Sequence, residues 1–573
     1  MLSEIKPARF HIFLSALAIL LFVPFLGSVH LFDWDEINFA EAAREMIATG
    51  NYSFVQINYA PFWEKPPFFI WMQVASMKCF GINEFAARLP NALAGVATLN
   101  LLFYIGKNIH SQKLGFWWAI LYLASFTPQF YFHSGIIDPL FNLFIFLSIY
   151  QLYLAFERSS SSKNMALAGL FCGLAVLTKG PVAALIIALI GFLVLLRKKG
   201  RLGLSGLHFL VFIVSSALVS SIWLVPNYLQ SGPGFIKQFV SYQIDLMLHP
   251  VASHGQPWYY HPIVLLMGCF PASIWALQRL TTKASKGSEF STWMRIMFWI
   301  VLVLFSLVTT KIVHYSSLCY FSITFLAAET LLYVVEGGKV PSWLHTIFAS
   351  LLVFWCVLFA ALPIFGMYST TLAKWDLLSD FERLVEASLV SVSWSIWHVL
   401  LGLLFIPLAV WMHRVWKRKP KAVWKPLCAV AIYFTVYLWQ TAPKVEEHLQ
   451  GQIINFYESK ADTIKYLEPY GYKSYAHLFY GEVEPYDSLD CLMIERRVLL
   501  KNAEALSLLD LTALERDTFE HREKNWLMLG GTDKPTYFIC RRNKLAELKS
   551  NLELELVYSN GGYFVFYRKQ EFY

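Results

Sequence analysis

Up to about residue 441 the chain alternates long apolar runs with short polar breaks, and beyond that point the runs stop. A spanning helix needs roughly 20 apolar residues at 1.5 Å rise each. The runs that meet or approach this length lie at 11–32, 87–106, 113–131, 137–156, 165–178, 182–196, 206–226, 258–277, 292–309, 313–334, 343–365, 391–412 and 425–441. They predict thirteen transmembrane helices. Runs 165–178 and 182–196 are short and separated by little more than KGP, so eleven or twelve is the alternative count. From residue 442 charged and apolar residues interleave, as in LELELVYSNGGYFVFYRK (552–569), which has strand alternation around a Gly561-Gly562 turn. Before it, His448 to Gly471 carries Ile453, Ile454, Tyr457, Ile464 and Leu467 at helical spacing and ends in glycine. The expected fold class is therefore an α-helical polytopic membrane protein with a C-terminal soluble α/β domain. The predicted division is a membrane domain over 1–441, with outer segments 33–86 (amphipathic helices) and 227–257, and a domain over 442–573.

Composition agrees: 57% of residues are hydrophobic, 17% aromatic and 15% charged, with a mean hydropathy of +0.48. Lysine and arginine then set the orientation, because short cytoplasmic loops hold the excess positive charge. With Lys6 and Arg9 inside, alternate breaks carry Lys107 and Lys113, Arg158 and Lys163, Arg197 to Arg201, Arg279 with Lys283 and Lys286, and the basic run His413 to Lys425. All fall on one side, which predicts a cytoplasmic N-terminus and a C-terminal domain on the opposite, outer side of the membrane. The net charge of +8 is accounted for by these loops, so no nucleic-acid partner is expected.

The first apolar run lacks a small-residue cleavage pattern and reads as a retained anchor. Eight cysteines without a CxxC pair indicate neither zinc nor redox chemistry. Cys491 and Cys540 would be in reach of a bridge in an oxidising compartment. Ser159 to Ser162 reads as a solvated loop, and no internal repeat is evident.

Chemistry-bearing residues gather in the breaks assigned to the outside. They are Asp35 and Glu36 in DWDEINFAEAAREM, Glu64 and Lys65 in WEKPP, Asp138 in IIDPLF, Lys179 in LTKGP, Lys311 with His314 and Tyr315 in TTKIVHY, and His254 and His261 in SHGQPWYYHP. Charged groups at the edge of hydrocarbon are costly, which favours a working site. Blander readings stand beside each. Asp35 or Asp138 would serve as a helix N-cap, Glu36 as a first-turn charge favoured by the helix dipole, and Lys179 or Lys311 as a snorkelling lysine. Trp258, Tyr259 and Tyr260 suit an interfacial belt.

This ordered set of motifs, with NEFAARLPNALAGVATLNLLFYIG between EKPP and IIDPLF, resembles the GT-C membrane glycosyltransferases. More narrowly it is similar to the bacterial lipid A aminoarabinose transferases and the protein O-mannosyltransferases of glycosyltransferase family 39, over roughly residues 10 to 320. The resemblance implies a transferase that moves a sugar, with inversion, from a polyprenyl (undecaprenyl) phosphate donor to lipid A, a protein or another glycan outside the cytoplasm, without a nucleotide cofactor. It implies catalytic roles for Asp35 and Asp138, with Glu36 and His314 supporting. Lys65, Lys179, Lys311 and Tyr315 would meet the donor phosphate, whose added negative charge on departure needs cations. A divalent metal held by Glu64 and His254 is the cofactor it allows. One departure stands out: the aminoarabinose transferases carry Arg and Tyr three and four residues after the aspartate, where this chain has Asn38 and Phe39. Losing a bidentate phosphate donor there leaves the acceptor open. A transporter or flippase is the reading from another class; such proteins favour repeated halves and midplane charges.

Overall fold

The computed structural model describes residues 6–157, 161–199, 204–248, 255–282, 289–372, 390–463, 465–483, 527–528 and 534–568. Among these, seven helices are long and apolar enough to cross a membrane, among them Glu84–Ile109, Asp138–Glu157, Gly206–Ile244 and Glu289–Leu307. Four shorter apolar helices accompany them, including Pro7–Phe22 and Cys319–Val335. Several predicted spans are interrupted. The first helix, α1 (Pro7–Phe22), ends well before residue 32. Run 113–131 divides into α5 (Gln112–Leu123) and α6 (Phe126–Tyr131), and run 258–277 divides into α11 (Tyr260–Gly268) and α12 (Ala272–Thr281), with Pro271 at the break.

Segment 33–86 contains α2 (Asp35–Thr49), a short hairpin of β1 (Gln56–Ile57) and β2 (Ala60–Pro61), and α3 (Phe68–Phe80). Although α2 reads as a charged amphipathic helix, it is buried from Glu36 through Met46. Its acids survive burial because each has a partner. Arg44 forks onto both Glu41 oxygens at 2.8 and 2.7 Å and also reaches the Val483 carbonyl. Glu45 accepts the Tyr59 amide at 2.8 Å.

The segment 227–257, expected as an outer loop, is helical over its first part. The helical run α10 (Gly206–Leu248) passes into it as two helices that meet at Gly232, whose φ of 67° and ψ of −169° are not helical. Pro226 and the Gly232-Pro233 pair read as terminators, but proline suits the first turn of a restarting helix. Helix α8 (Ser162–Lys179) lies against α10 at Gly169 and Gly173, where an added Cβ would fall 2.3 Å from the Phe212 carbonyl oxygen and 2.6 Å from the Val219 Cβ. This small-residue face lets the two backbones approach and so fixes Lys179 at the end of α8.

The C-terminal region forms a four-stranded sheet in the order β3-β4-β6-β5. Strand β3 (Tyr466–Tyr470) runs parallel to β4 (Thr536–Arg541), and β6 (Tyr563–Arg568) is antiparallel to β4 and to β5 (Leu554–Asn560). The Gly561-Gly562 hairpin lies where the alternation put it, with Gly561 at φ 61°. The predicted helix up to Gly471 is shorter: it ends at Glu458, and Tyr466–Tyr470 is strand. Of the suggested Cys491–Cys540 bridge, Cys491 lies outside the described residues and Cys540 is a buried free thiol. The sheet region is not a remote appendage. Ile453, Ile454, Leu478 and Ile539 share one apolar cluster with Ile37 and Ala40 of α2 and with Ile137 and Leu140.

Candidate active site

Asp35 is the first residue of α2, and the capping position before it is Trp34, which makes no side-chain cap. The N-cap reading therefore fails, and the Asp35 carboxylate faces a cleft instead. The next residue, Glu36, turns the other way. It receives Arg88 Nε at 2.9 Å and Nη2 at 2.8 Å, the Phe32 amide at 2.8 Å, and the Gly135 amide. Arg88 also donates to the carbonyls of Leu26, Val29 and His30 at 2.8, 2.6 and 2.8 Å. These bonds hold Glu36 below the usual carboxylate range despite its burial. Glu36 is thus a tie behind the cleft, joining the start of α2 to the turn before α7 (Asp138–Glu157), and it does not line the cleft.

That turn is secured a second time by Asn91, whose Nδ2 donates to the Ser134 and Ile136 carbonyls at 2.6 Å each. Asp138 follows as the first residue of α7. It is buried; Lys179 Nζ lies 2.5 Å from its Oδ1, and its Oδ2 has no hydrogen-bond partner among the described residues. His314 sits in a turn tied to α7 through Asn142, which donates to Ser317 Oγ at 2.7 Å. Its Nε2 lies 3.5 Å from Asp35 Oδ2 and 3.7 Å from Asp138 Oδ2, so a single imidazole stands between the two acids. Burial holds His314 below its ordinary value, with Asp138 and Asp35 opposing.

The cleft these elements enclose measures about 630 Å³, and its lining includes Trp34, Asp35, Glu64, Lys65, Asp138, Lys179, Tyr242, His314 and Tyr315. Lys65 projects from the EKPP turn with its ammonium 5.1 Å from the Tyr242 ring centroid. Desolvation lowers its pKa and neighbouring Lys179 pushes the same way, against Glu64, Asp35 and Asp138. Lys179 lies 5.0 Å over the Tyr315 ring, and burial raises the Tyr315 hydroxyl. The Tyr242 hydroxyl donates to Glu64, and Gln243 Nε2 donates to the Glu64 carbonyl at 3.2 Å. Asn38 and Phe39, at the positions of the departure, also line the cleft.

Of the predicted site residues that the structure describes, Glu36 and Lys311 do not line the cleft. Lys311 points away: it is buried and donates at 2.7 Å to the Val308 carbonyl just past the end of α13 (Glu289–Leu307), where carbonyls left without helical partners need donors. His254 lies outside the described residues. His261 is buried against Ser316 at 3.0 Å, while Trp258 and Tyr259 are exposed, as a belt would be. Sequence reasoning missed Arg88, Asn91 and Tyr242.

With the geometry in place, similarity to known proteins gives it a frame. Over 98% of both chains the structure matches ArnT from Cupriavidus metallidurans bound to undecaprenyl phosphate, with a TM-score of 0.71 at 16% identity. The chain has the GT-C glycosyltransferase fold. Within that fold, residues 64–223 match the family described as dolichyl-phosphate-mannose-protein mannosyltransferase, a stretch that runs from Glu64 past Asp138 and Lys179. The undecaprenyl phosphate-alpha-4-amino-4-deoxy-L-arabinose arabinosyl transferase of Wigglesworthia glossinidia brevipalpis is 26% identical over 383 residues, 64% of this chain and 67% of that one. An enzyme of the same description from Proteus mirabilis is 26% identical over 384 residues, 65% of this chain and 68% of that one.

Proposed function

We propose that this GT-C chain is an inverting membrane glycosyltransferase that moves a sugar from a polyprenyl phosphate to an acceptor outside the cytoplasm, such as lipid A, a protein or another glycan. The observation that carries this reading is the convergence of Asp35, Asp138 and His314 with Lys65 and Lys179 in one cleft. In the proposed reaction an acceptor oxygen attacks the anomeric carbon from one face. The carbon–oxygen bond to phosphate breaks, and its electron pair stays on the phosphate, which changes from diester to monoester. Asp35 takes the acceptor proton; among the two cleft aspartates it is the more accessible and is not tied to a lysine. Lys65 meets the growing phosphate charge. Asp138 holds Lys179 and His314 in place. Beside the two lysines an apolar cluster of Trp63, Leu177, Trp223, Phe235 and Phe239 supplies a wall for the first isoprene units of the donor. A divalent cation, if held by Glu64 and His254, would add further charge neutralisation at the phosphate. The reading includes a cytoplasmic N-terminus with the cleft on the opposite side.

The test is transfer by the purified protein in detergent from radiolabelled sugars on undecaprenyl phosphate to a panel of acceptors. Asp35→Ala and Lys65→Ala are each expected to lower turnover by about 10²-fold or more, within the range for loss of a positioned acid–base or electrostatic group. Undiminished transfer by Asp35→Ala would remove the base assignment, and no turnover with any lipid-linked sugar would transfer weight to a transporter or flippase.

A further inference from the structure

A second group of metal-capable side chains lies outside the cleft, where the region after α1, the start of α4 (Glu84–Ile109) and the connection to the C-terminal sheet meet. His30, Glu84 and Glu458 each offer one donor atom there, and these atoms lie within 4.8 Å of one another. The surroundings are arranged around those ligands. His30 Nδ1 lies 3.1 Å from Glu446 Oε1, which leaves Nε2 turned toward Glu458 at 3.7 Å. A carboxylate on the far nitrogen of a histidine is the usual device that fixes the tautomer of a metal ligand. Glu84 has a comparable support in Tyr480, whose hydroxyl donates to it while accepting the Leu31 amide at 2.6 Å.

Charge favours a cation at this place. Three carboxylates, Glu84, Glu446 and Glu458, surround one imidazole, and the nearby Arg88 is committed to Glu36. The Glu458 side chain is half exposed, so water has access to complete a coordination shell. One imidazole nitrogen with two carboxylate oxygens suits zinc, whereas calcium and magnesium prefer all-oxygen sets.

We propose that His30, Glu84 and Glu458 bind a Zn²⁺ ion, with Glu446 and Tyr480 orienting two of the ligands, and that this ion clamps the C-terminal domain onto the outer end of α1 and α4. The three ligands come from segments far apart in sequence: residue 30 follows α1, residue 84 opens α4, and residue 458 closes the helix Gln452–Glu458 that leads into the sheet. Binding at this point ties together elements that also carry the active cleft through Glu36 and Arg88.

The experiment is zinc binding to the full-length protein in detergent after chelator treatment, followed by calorimetry and by metal counting, with the thermal midpoint recorded at each zinc level. His30→Gln and Glu458→Gln are each expected to bind one equivalent fewer than wild type and to lose the zinc-dependent rise in midpoint. Glu446→Gln is expected to keep the stoichiometry but bind 10- to 100-fold more weakly, as loss of an orienting carboxylate does. Glu64→Gln keeps this equivalent, which separates it from any ion in the cleft. Wild-type stoichiometry in both His30→Gln and Glu458→Gln would overturn the proposal, as would the absence of zinc binding to wild type. Glu458 is exposed enough that its amide variant folds, so the result does not depend on His30→Gln alone.

Discussion

Arg88→Met is the most informative single change, because one side chain links both acids of the cleft. The Arg88 guanidinium makes two bonds to Glu36 and three to the carbonyls of Leu26, Val29 and His30. Glu36 in turn holds the amides of Phe32 and Gly135. Both partners of the ion pair have side chains about 5% exposed. Removing one partner of such a buried pair costs about 3–5 kcal/mol, because the other charge is stranded. Methionine fills the volume of the arginine stem, so the loss is electrostatic and not a cavity. Adding Glu36→Gln to Arg88→Met removes the stranded charge and is expected to restore part of the loss, giving a coupling energy of about 2 kcal/mol or more in a double-mutant cycle. The readouts are denaturant unfolding in detergent and sugar transfer from the lipid-linked donor. Arg88→Met is expected to lose transfer even where it remains folded, because Asp35 is adjacent to Glu36 and the Gly135 turn leads into Asp138. Additive losses in stability would refute the charge argument, and full transfer by folded Arg88→Met would refute the positioning role.

Two further changes probe residues away from the chemistry. Burial and the neighbouring Glu41 push the Glu45 carboxyl well above its ordinary range, so the folded protein keeps a proton that the unfolded chain releases. Stability is therefore expected to fall as pH rises above the ordinary carboxylate range and towards the raised folded value, and Glu45→Gln, which mimics the protonated form, should flatten that fall; a wild-type pH dependence in the variant would count against it. Lys311→Met should leave the KM for the donor unchanged and cost about 1 kcal/mol in unfolding free energy through the bond to Val308; a several-fold rise in KM would return Lys311 to the phosphate site.

The parts of the site that were legible in sequence are those in which a charge interrupts or ends an apolar run. Asp35, Lys65, Asp138 and Lys179 stood out for that reason, and all four line the cleft. Lys311 met the same criterion and is a helix-end donor, since nothing in the pattern tells a lysine facing a ligand from one folded back onto its own carbonyls. Arg88 carried a usable signal: an arginine one turn inside a span must have a partner, and Glu36 was available. Helix α2 gave no such signal. The spacing of Glu41, Arg44 and Glu45 reads as a solvated face, and packing against the β1–β2 hairpin, α3 and the stretch that ends at Val483 makes that face interior. Tyr242 was hidden by the Gly232-Pro233 pair, which ends one helix and starts the next that carries Tyr242.

The charges in the cleft also explain why its parts need so much outside support. Lys179 is neutralised by Asp138, and Glu64 lies beside Lys65 and accepts from Tyr242. Every charge there is thus near an opposite one before any substrate arrives, which limits the penalty of holding them in a partly desolvated place. In the proposed reaction a donor phosphate would compete with these carboxylates for the lysines, so the free cleft would hold attraction for the donor to redirect. That redistribution requires the acids to stay in place while the phosphate displaces them as partners. Glu36 with Arg88 behind Asp35, and Asn91 beneath the turn before Asp138, are the bonds that keep them there. The cost of preorganisation is therefore met by residues that do not line the cleft, and changes at Arg88 and Asn91 should reduce turnover while leaving the charges of the cleft intact.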